Sequence, residues 1–330
     1  MANEMPASMP VVSLTPRVPL AAVGMGQVVR GRYRMGRTFL SRARTGIDFR
    51  VMELVDSTGR LRCHAWPNRI PADVNPPEWT IVDVEFAVPQ VDLGKFGRLN
   101  VLQIAPEPTA IDQVATLPAG ICPIPGVVEK LQAVVAGIRT PELQGFLAQA
   151  FSDMELIRTF FRVPASSRDH HARPGSLGEH SVEAAVIANG IGILLPRDRE
   201  QCVVGSLFHD VGKVRTHDGA PLTDVMIELV EHDDLTLEVL APHLRWLEQR
   251  WPHGAISLRH AWTARSPGAR YGIEPKHLVA SVVRAADRIS QEVDLHRTHR
   301  SEGGGFVNVT RWRRIWSPEE PASARAIDGA

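Results

Sequence analysis

Histidine and aspartate side chains recur in the second half of the chain in an order that suits a metal site. His180, the adjacent pair His209 and Asp210, and Asp287 each lie in a stretch with the apolar periodicity of a helix. Imidazole nitrogens and carboxylate oxygens together form a ligand set for Mn²⁺, Fe²⁺, Co²⁺ and similar ions. A buried carboxylate is costly unless it is paired or binds a metal. The ordered set therefore predicts a divalent metal centre assembled from separate helices.

The sequence around these candidates predicts where their helices begin and end. Ser176 and Glu179 have the spacing of a capping box, so a helix is expected to begin near Ser176 and to carry His180 in its first full turn. An apolar helix is expected to end at the His-Asp pair. Lys213 follows one turn later, where its amine could contact a phosphate oxygen.

Several of these positions keep a second interpretation. Asp287 could instead form a salt bridge to a nearby arginine. Glu179 is either a helix cap, which we favour, or a group that orients a ligand. His170 and His171 are either partners that hold the ligands from behind or substrate contacts, and the sequence does not choose.

The order of these residues resembles the HD-domain phosphohydrolase superfamily, an all-helical fold whose ligands converge from separate helices. The segment HHARPGSLGEHS (170–181) is similar to HHxxxGGLLEHT in YhaM-type 3′-to-5′ exoribonucleases, and FFRVPAS (160–166) is similar to the approach to that motif. FRVMELVDSTGRLRCHAW (49–66) resembles a strand–turn–strand in that family's OB-fold, and FVNVTRWRRIW (306–316) resembles its closing segment. The resemblance covers roughly residues 24–316.

This resemblance implies further ligands and a reaction. His232 and His260 fall at matching places, 23 residues after His209 and 28 residues after His232. The chain departs from the family at RHAW (259–262), where a paired histidine and a glycine are usual, and at GS (175–176), where the family has two glycines. The implied metal ligands are His180, His209, Asp210, His232, His260 and Asp287, and the implied catalytic residues are His180, His209, Asp210, Lys213 and Asp287.

The implied cofactor is one or two divalent ions per chain, with Mn²⁺ preferred and Co²⁺, Fe²⁺ or Mg²⁺ as alternatives. Such ions activate water for attack on phosphorus and neutralise the phosphate oxygens. A phosphodiester is therefore the expected bond to be cleaved.

Two kinds of element must position these residues. Between about residues 24 and 105, short β-branched and apolar runs separated by turn signals predict five strands, which fit an all-β OB-fold barrel. Apolar spacings of three and four from Pro125 to about residue 296 predict an all-α HD domain. The predicted multidomain order is a disordered lead-in (1–20), the OB-fold (21–107), a proline-rich linker (108–124), the helical domain (125–316) and a disordered tail (317–330).

The barrel is predicted to bind single-stranded nucleic acid. Eight arginines and one acid lie between Arg17 and Arg50, an excess that suits a phosphate backbone but is also found on solvated basic faces. Bases stack on aromatic side chains in such barrels, although most aromatics there belong to the core. The candidates are Arg32, Arg34, Arg44, Arg98, Tyr33, Phe49, Trp66 and Phe96, with a second cluster of Arg311, Trp312, Arg313, Arg314 and Trp316 whose tryptophans could instead dock the tail.

Composition narrows the class of protein. Lys+Arg and Asp+Glu are equal at 37 each, so net charge indicates no partner, and 330 residues suffice for two or three domains. Three widely spaced cysteines without a CxxC pair argue against a zinc ribbon or a disulfide framework. No segment approaches the roughly 18 apolar residues of a membrane span. We expect a cytoplasmic protein without membrane binding, and a homo-oligomer is left open.

Together these features predict a 3′-5′ exonuclease acting on single-stranded RNA or DNA held by the OB-fold. A protein of conjugative elements is one alternative, because the first motif and HDDLTLEVLAPHLRWL (232–247) also resemble TraI-type HD domains. A non-catalytic single-strand-binding protein is another, against which the four core ligands argue. A nucleotide phosphohydrolase or a cyclic-dinucleotide esterase stays open, the latter without its GYP signature.

Overall fold

The computed structural model describes residues 17–90, 95–166, 170–217, 219, 223–265, 272–299, 304–309 and 313–319. These residues fall into two compact units. The first contains the described residues up to Pro108 together with Ala115–Ala119, and the second contains Thr109–Val114 and the residues from Gly120 onward. The barrel and the helices thus lie in different units, whereas the predicted domain boundaries stay a prediction.

The first unit is built on a closed barrel of five strands. These are β1 (Val28–Arg42), β2 (Asp48–Asp56), β3 (Gly59–Ala65), β4 (Ile81–Ala87) and β5 (Gly97–Ile104). They pair in the order β1-β2-β3-β5-β4, and β4 returns to β1. Every pair is antiparallel except β3 with β5, which is parallel. A five-stranded closed barrel confirms the predicted OB-like fold.

Alternation along the strands decides which barrel side chains form its core. Met52 and Leu54 on β2 point inward with Cys63 on β3. Glu53, which lies between Met52 and Leu54, therefore points to the other face of the strand. Tyr33 is fully buried in this core, and its hydroxyl donates to the carbonyl of Val18 at 2.6 Å. The prediction that Tyr33 stacks on a base is therefore wrong, because no face of its ring reaches the surface.

The second unit is helical, as predicted. Its helices are α1 (Ala110–Ala115), α2 (Val127–Ala136), α3 (Pro141–Ser152), α4 (Met154–Phe160), α5 (Ser176–Asn189), α6 (Pro196–Phe208), α7 (Thr223–Leu229), α8 (His232–Arg250), α9 (Pro252–Thr263) and α10 (Leu278–His299). Three of them start with proline, whose missing N–H costs nothing at a first helical position. α5, α6 and α10 pack against one another, and α8 packs against a 3-10 turn at Val211–Arg215.

Two short strands follow α10 and depart from the all-α prediction. β6 (Gly305–Asn308) and β7 (Arg314–Ser317) pair in antiparallel fashion. Arg311 and Trp312 of the predicted basic-aromatic cluster lie outside the described residues, as do residues 1–16 and 320–330. Within the described part of the chain, no helix is both long enough and apolar enough to cross a bilayer.

Candidate metal centre and nucleic-acid interface

Three side chains from separate parts of the second unit meet at one point. The Nε2 atoms of His180 on α5 and His209 at the end of α6 lie 3.2 Å apart. Asp287 Oδ1 on α10 lies 3.0 Å from the first and 3.4 Å from the second. Both imidazoles are buried, whereas the Asp287 side chain is 29% exposed, so the aspartate gives this cluster its access to solvent. The nearby Arg284 donates instead to the carbonyl of Ala264, at 2.5 Å.

Asp210 adds a second carboxylate to the cluster. Its Oδ2 lies 3.5 Å from the Nε2 of both imidazoles, and its Oδ1 lies 3.2 Å from His232 Nε2. Lys213 Nζ donates to Oδ2 at 2.5 Å. Consecutive side chains converge here because α6 ends just before His209 and the backbone of Asp210 turns away from helical geometry, with φ −106° and ψ 7°.

Thr236 on α8 ties His232 to this arrangement. Its Oγ1 accepts from the N–H of Gly212 at 3.0 Å and donates to the carbonyl of His209 at 3.2 Å. A Cβ on Gly212 would overlap the carbonyl oxygen of His232. The glycine therefore permits the close approach that brings the start of α8 to Asp210.

His260 is not part of the cluster. Its Nε2 accepts the backbone N–H of Lys276 at 2.9 Å, so this nitrogen is already used. Among the described residues, the three side chains whose ligand atoms all lie within 4.8 Å of one another are His180, His209 and Asp287. His260 therefore lies outside this three-residue cluster, and its implied role as a ligand of a second ion stays a prediction.

Hydrogen bonds to the outer ring nitrogens orient both imidazoles. His209 Nδ1 lies 2.7 Å from the carbonyl oxygen of Ser206, which can only accept, so Nδ1 carries a proton. His180 Nδ1 lies 3.0 Å from Ser290 Oγ. Metal-binding histidines are commonly held in this way by a partner on the second nitrogen. Two Nε2 atoms and a carboxylate oxygen at one buried point fit a divalent ion.

Charges in the cluster shift its pKa values in opposite directions. Burial lowers the pKa of His180. Burial would also lower that of His209, but the carboxylates of Asp210 and Asp287 more than offset it and raise the pKa of His209 to about 9. Although burial alone would raise the pKa of Asp287, the adjacent imidazoles of His180 and His209 hold it well below its usual range. Without a metal the cluster therefore holds a proton that an incoming cation would displace.

Part of the second unit matches a known protein family. The HD-domain model matches residues 177–292, a range that contains the cluster. Because they match this model, we call residues 177–292 the HD domain. The chain is also 24% identical over 179 residues to the 3′-5′ exoribonuclease YhaM of Geobacillus sp. (strain WCH70), which covers 52% of this chain and 53% of that protein. The match thus spans about half the length of this relative, and no solved structure matches. Both findings confirm the resemblance identified from the motifs.

A second cluster of charged groups lies behind His180 in the HD domain. His171 is buried, with Nδ1 3.4 Å from Glu179 Oε2 and 3.7 Å from Asp294 Oδ1. Its Nε2 lies 3.7 Å from Glu183 Oε2, and its backbone N–H donates to Asp294 Oδ2 at 2.6 Å. His171 therefore has no face open to substrate. Of its two predicted roles, only that of a group behind the ligands fits.

Helix α5 of the HD domain begins at the predicted residue, but by another device. Gly175 precedes it with φ 80°, and the helix has no side-chain cap. Ser176 Oγ donates to the carbonyl of Arg173 at 2.6 Å, and Glu179 accepts from the Arg173 guanidinium at 2.5 Å. The capping-box prediction is therefore wrong, and Glu179 belongs to the cluster around His171.

His170 lies at the edge of the metal cluster. Its ring centre is 6.2 Å from that of His180, and its side chain is half-buried. Burial and the charge of Lys213 lower its pKa. His232 lines a cavity of about 180 Å³, together with residues 216–217 and 227–231.

Sequence reasoning missed three polar residues of the second unit: Glu183, Ser290 and Asp294. Glu183 lies three residues after His180 on α5, and Ser290 lies three residues after Asp287 on α10. Residues three apart share one helix face. Polar residues at that spacing from a predicted ligand were the signal.

On the barrel, four rings form a continuous row across the outer face of β2, β3 and the start of β5. Trp66 stacks on Phe49 with centroids 4.5 Å apart and planes at 18°. Phe49 contacts His64 at 4.9 Å, and His64 stacks on Phe96 at 4.4 Å and 21°. All four side chains are half-buried, so each keeps some exposed ring surface. We call these residues the aromatic row. His64 was not predicted, although it lies two residues before Trp66 and therefore on the same face.

The predicted arginines of the barrel divide into two groups. Arg44 and Arg98 are exposed, and Arg98 pairs with His64 in the register of β3 and β5. Arg34 is 1% exposed and donates to the carbonyl of Trp79 at 3.0 Å. Arg32 is 8% exposed and pairs with Asp83 at 2.8 Å. The structure contradicts phosphate contacts for Arg32 and Arg34, because both guanidinium groups are used inside the fold.

The β6–β7 hairpin carries the described part of the C-terminal cluster. Phe306 and Trp316 face each other across the strands and are 64% and 55% exposed. The guanidinium of Arg314 lies 4.6 Å from the Phe306 ring centre, and Arg313 pairs with Glu292 on α10. Arg314 and the two rings thus present a cationic and aromatic surface, whereas Arg313 ties the hairpin to the helix.

Proposed function

We propose that this protein is a metal-dependent phosphodiesterase that hydrolyses single-stranded RNA or DNA from its 3′ end. The observation that carries the proposal is the convergence of His180, His209 and Asp287 at one buried point, with Asp210 3.5 Å from both imidazoles. The similarity to a 3′-5′ exoribonuclease supports the direction of attack. Mn²⁺ is the ion that we propose first.

Each residue of the cluster would have a separate role. The imidazoles of His180 and His209 and the carboxylates of Asp210 and Asp287 would hold one divalent ion, and Asp210 with His232 would contribute to a second. A bound divalent ion lowers the pKa of water and neutralises phosphate charge. Lys213 lies against Asp210 and adds a positive charge for a non-bridging phosphate oxygen.

His170 would act at the edge of the reaction centre. Its lowered pKa, caused by burial and then by Lys213, keeps the ring uncharged at neutral pH. An uncharged imidazole beside the cluster can hydrogen-bond a phosphate group or accept a proton. His171 cannot take this role, because it is buried behind His180.

The barrel would capture the strand. Trp66 and Phe96 end the aromatic row, so each would offer its outer ring face for base stacking, which contributes roughly 1–3 kcal/mol per base. Arg44 and Arg98 would contact phosphates. Next to Phe49, a groove of about 530 Å³ lined by Phe39, Leu40 and Asn75, among others, gives room beside the row. On the second unit, Arg314, Phe306 and Trp316 would provide a further contact.

The test uses single-stranded RNA and DNA oligonucleotides labelled at the 5′ end. With Mn²⁺ we expect a ladder that shortens progressively from the 3′ end, and no products when EDTA is present. Asp287→Ala should abolish the ladder, whereas the matched variant Ser281→Ala, at an exposed position of the same helix, should retain it. Strand binding without any cleavage under several divalent ions would instead identify a non-catalytic binding protein. Discrete labelled products without the intermediate lengths of a ladder would contradict an exonuclease.

A further inference from the structure

A chain of hydrogen bonds runs from His180 through two side chains to an arginine at the surface. His180 Nδ1 lies 3.0 Å from Ser290 Oγ, and Ser290 Oγ donates to Glu183 Oε2 at 3.1 Å. The other carboxylate oxygen, Glu183 Oε1, accepts from Arg297 at 3.1 Å. Ser290 is fully buried, the Glu183 side chain is 13% exposed, and Arg297 is half exposed.

The chemistry of these groups sets the direction of the hydrogen bonds. An ionised carboxylate can only accept, so the single proton of the Ser290 hydroxyl is directed to Glu183. Ser290 Oγ must then accept from His180, which places the ring proton on Nδ1. His180 Nε2 is left with its lone pair, and this is the atom that faces Asp287 and His209.

Burial makes this orientation depend on Ser290. His180 is fully buried, so water has no access to replace a lost partner of Nδ1. The opposite tautomer would direct the Nδ1 lone pair at the lone pairs of Ser290. His171 Nε2 lies 3.4 Å from Ser290 Oγ and can occupy the second lone pair of that hydroxyl. It cannot take the place of Ser290 as the partner of His180 Nδ1.

Glu183 and Ser290, which we call the relay, lie one helical turn after the two candidate ligands. Glu183 follows His180 on α5, and Ser290 follows Asp287 on α10, by three residues in each case. The bond between Glu183 and Ser290 therefore links the two helices close to the point where His180 meets Asp287. His209, in contrast, is held by a backbone carbonyl, so no side-chain substitution removes its partner.

We propose that Ser290 and Glu183 are positioning residues that hold His180 in the Nδ1-protonated tautomer and aim its Nε2 at a divalent ion. The proposal rests on the proposed function only for the identity of the divalent ion that Nε2 would bind. Loss of such outer partners weakens metal affinity by roughly 10–100-fold in known sites.

The first experiment measures Mn²⁺ affinity of the metal-stripped full chain by calorimetry. Ser290→Ala and Glu183→Met should each weaken binding by roughly 10–100-fold. Glu183→Gln, which keeps an acceptor oxygen, should lose less than Glu183→Met. Two matched controls should bind as the parent does: Ser281→Ala on the exposed part of α10, and Glu292→Gln, which removes an arginine-paired carboxylate outside the relay.

The second experiment reads the tautomer directly. In the metal-free chain labelled with ¹⁵N-histidine, the His180 signals, assigned by their loss in His180→Gln, should report a protonated Nδ1. This signature should be lost or mixed in Ser290→Ala and Glu183→Met, and thermal unfolding will show which variants remain folded. An unchanged tautomer and unchanged affinity in either folded variant would overturn the proposal. A parent protein with the fixed tautomer but no affinity for any divalent ion would overturn the proposed function and leave the relay standing.

Discussion

Asp287 Oδ1 lies 3.0 Å from His180 Nε2, although 107 positions separate the two residues in the chain. Each sits on a helix that packs against the other, α5 and α10, and each is followed one turn later by a member of the Ser290–Glu183 relay. The pair is therefore held by the contact between two helices rather than by local sequence.

Removal of the exposed carboxylate should separate catalysis from binding. Asp287→Ala deletes an oxygen ligand and should lower hydrolysis by about 100-fold or more, since metal catalysis contributes several kcal/mol. Binding of a single-stranded oligonucleotide should stay within about twofold, because the barrel is a separate unit. Product formation and fluorescence anisotropy measure the two effects. Parallel loss of both in a folded variant would contradict this division of roles.

The proton on His209 should make both metal binding and stability depend on pH. Its pKa of about 9 in the folded chain exceeds the ordinary value of 6.5. In the metal-free chain this stabilisation is fully present below about pH 6.5 and is lost as the pH rises through 9. Urea unfolding in EDTA at pH 6.5, 8 and 9.5 measures this loss, which His209→Gln should abolish.

Metal uptake should release this same proton. Below pH 9 an incoming cation must displace it from His209, so Mn²⁺ affinity should fall as the pH is lowered. Calorimetry at pH 8 in buffers of different ionisation enthalpy counts the protons released, and we expect about one. Release of none would mean that His209 is not protonated in the metal-free cluster.

Truncation within the aromatic row should weaken strand binding. Trp66→Ala removes a stacking face, and Phe49→Ala removes the ring on which Trp66 stacks, so each should cost roughly 1–3 kcal/mol in binding free energy. The measurement is anisotropy with a single-stranded oligonucleotide in the Asp287→Ala background, which prevents cleavage. Val28→Ala, an exposed apolar position at the β1–β4 pair away from the row, is the control and should bind normally. An equal loss of binding in the control variant and in the aromatic-row variants would argue against base stacking on the aromatic row.

Two arginines that look alike in the sequence should behave differently. Arg34→Met should destabilise the fold by about 1–3 kcal/mol, because its guanidinium satisfies buried carbonyl oxygens. Arg44→Met should leave the unfolding free energy nearly unchanged and weaken strand binding at low salt. Urea unfolding and salt-dependent anisotropy distinguish the two. A stability loss at Arg44 comparable to that at Arg34 would contradict their assignment.

A methyl group on Gly212 should disturb the approach of α8. Gly212→Ala would overlap the carbonyl of His232, and backbone cannot rotate away as a side chain can, so we expect a loss of about 1–3 kcal/mol in stability. Gly192→Ala is the matched control, since a Cβ there meets nothing within 4 Å. Thermal unfolding compares them. Equal unfolding temperatures would show that α8 accommodates the methyl group at little cost in stability.

Much of the architecture could be predicted because it depends on local patterns. Alternation with turn signals indicated the five strands, and spacings of three and four indicated the helices, since both reflect which side chains face a core. The candidate ligands were also visible locally, as polar residues in apolar helices. His180, His209, Asp210 and Asp287 needed only the order of such positions along the chain.

Packing between distant segments decided the rest. Arg34 and Arg44 carry the same side chain, and only the closed barrel determines that one faces buried carbonyls and the other water. His260 matched the expected spacing, but the chain after α9 brings the N–H of Lys276 to its nitrogen. Ser290 and Glu183 have no sequence motif, because their roles exist only where α5 meets α10. A residue's type and period are properties of the chain, whereas its partner depends on how distant elements pack, and for these residues only the tertiary structure supplies it.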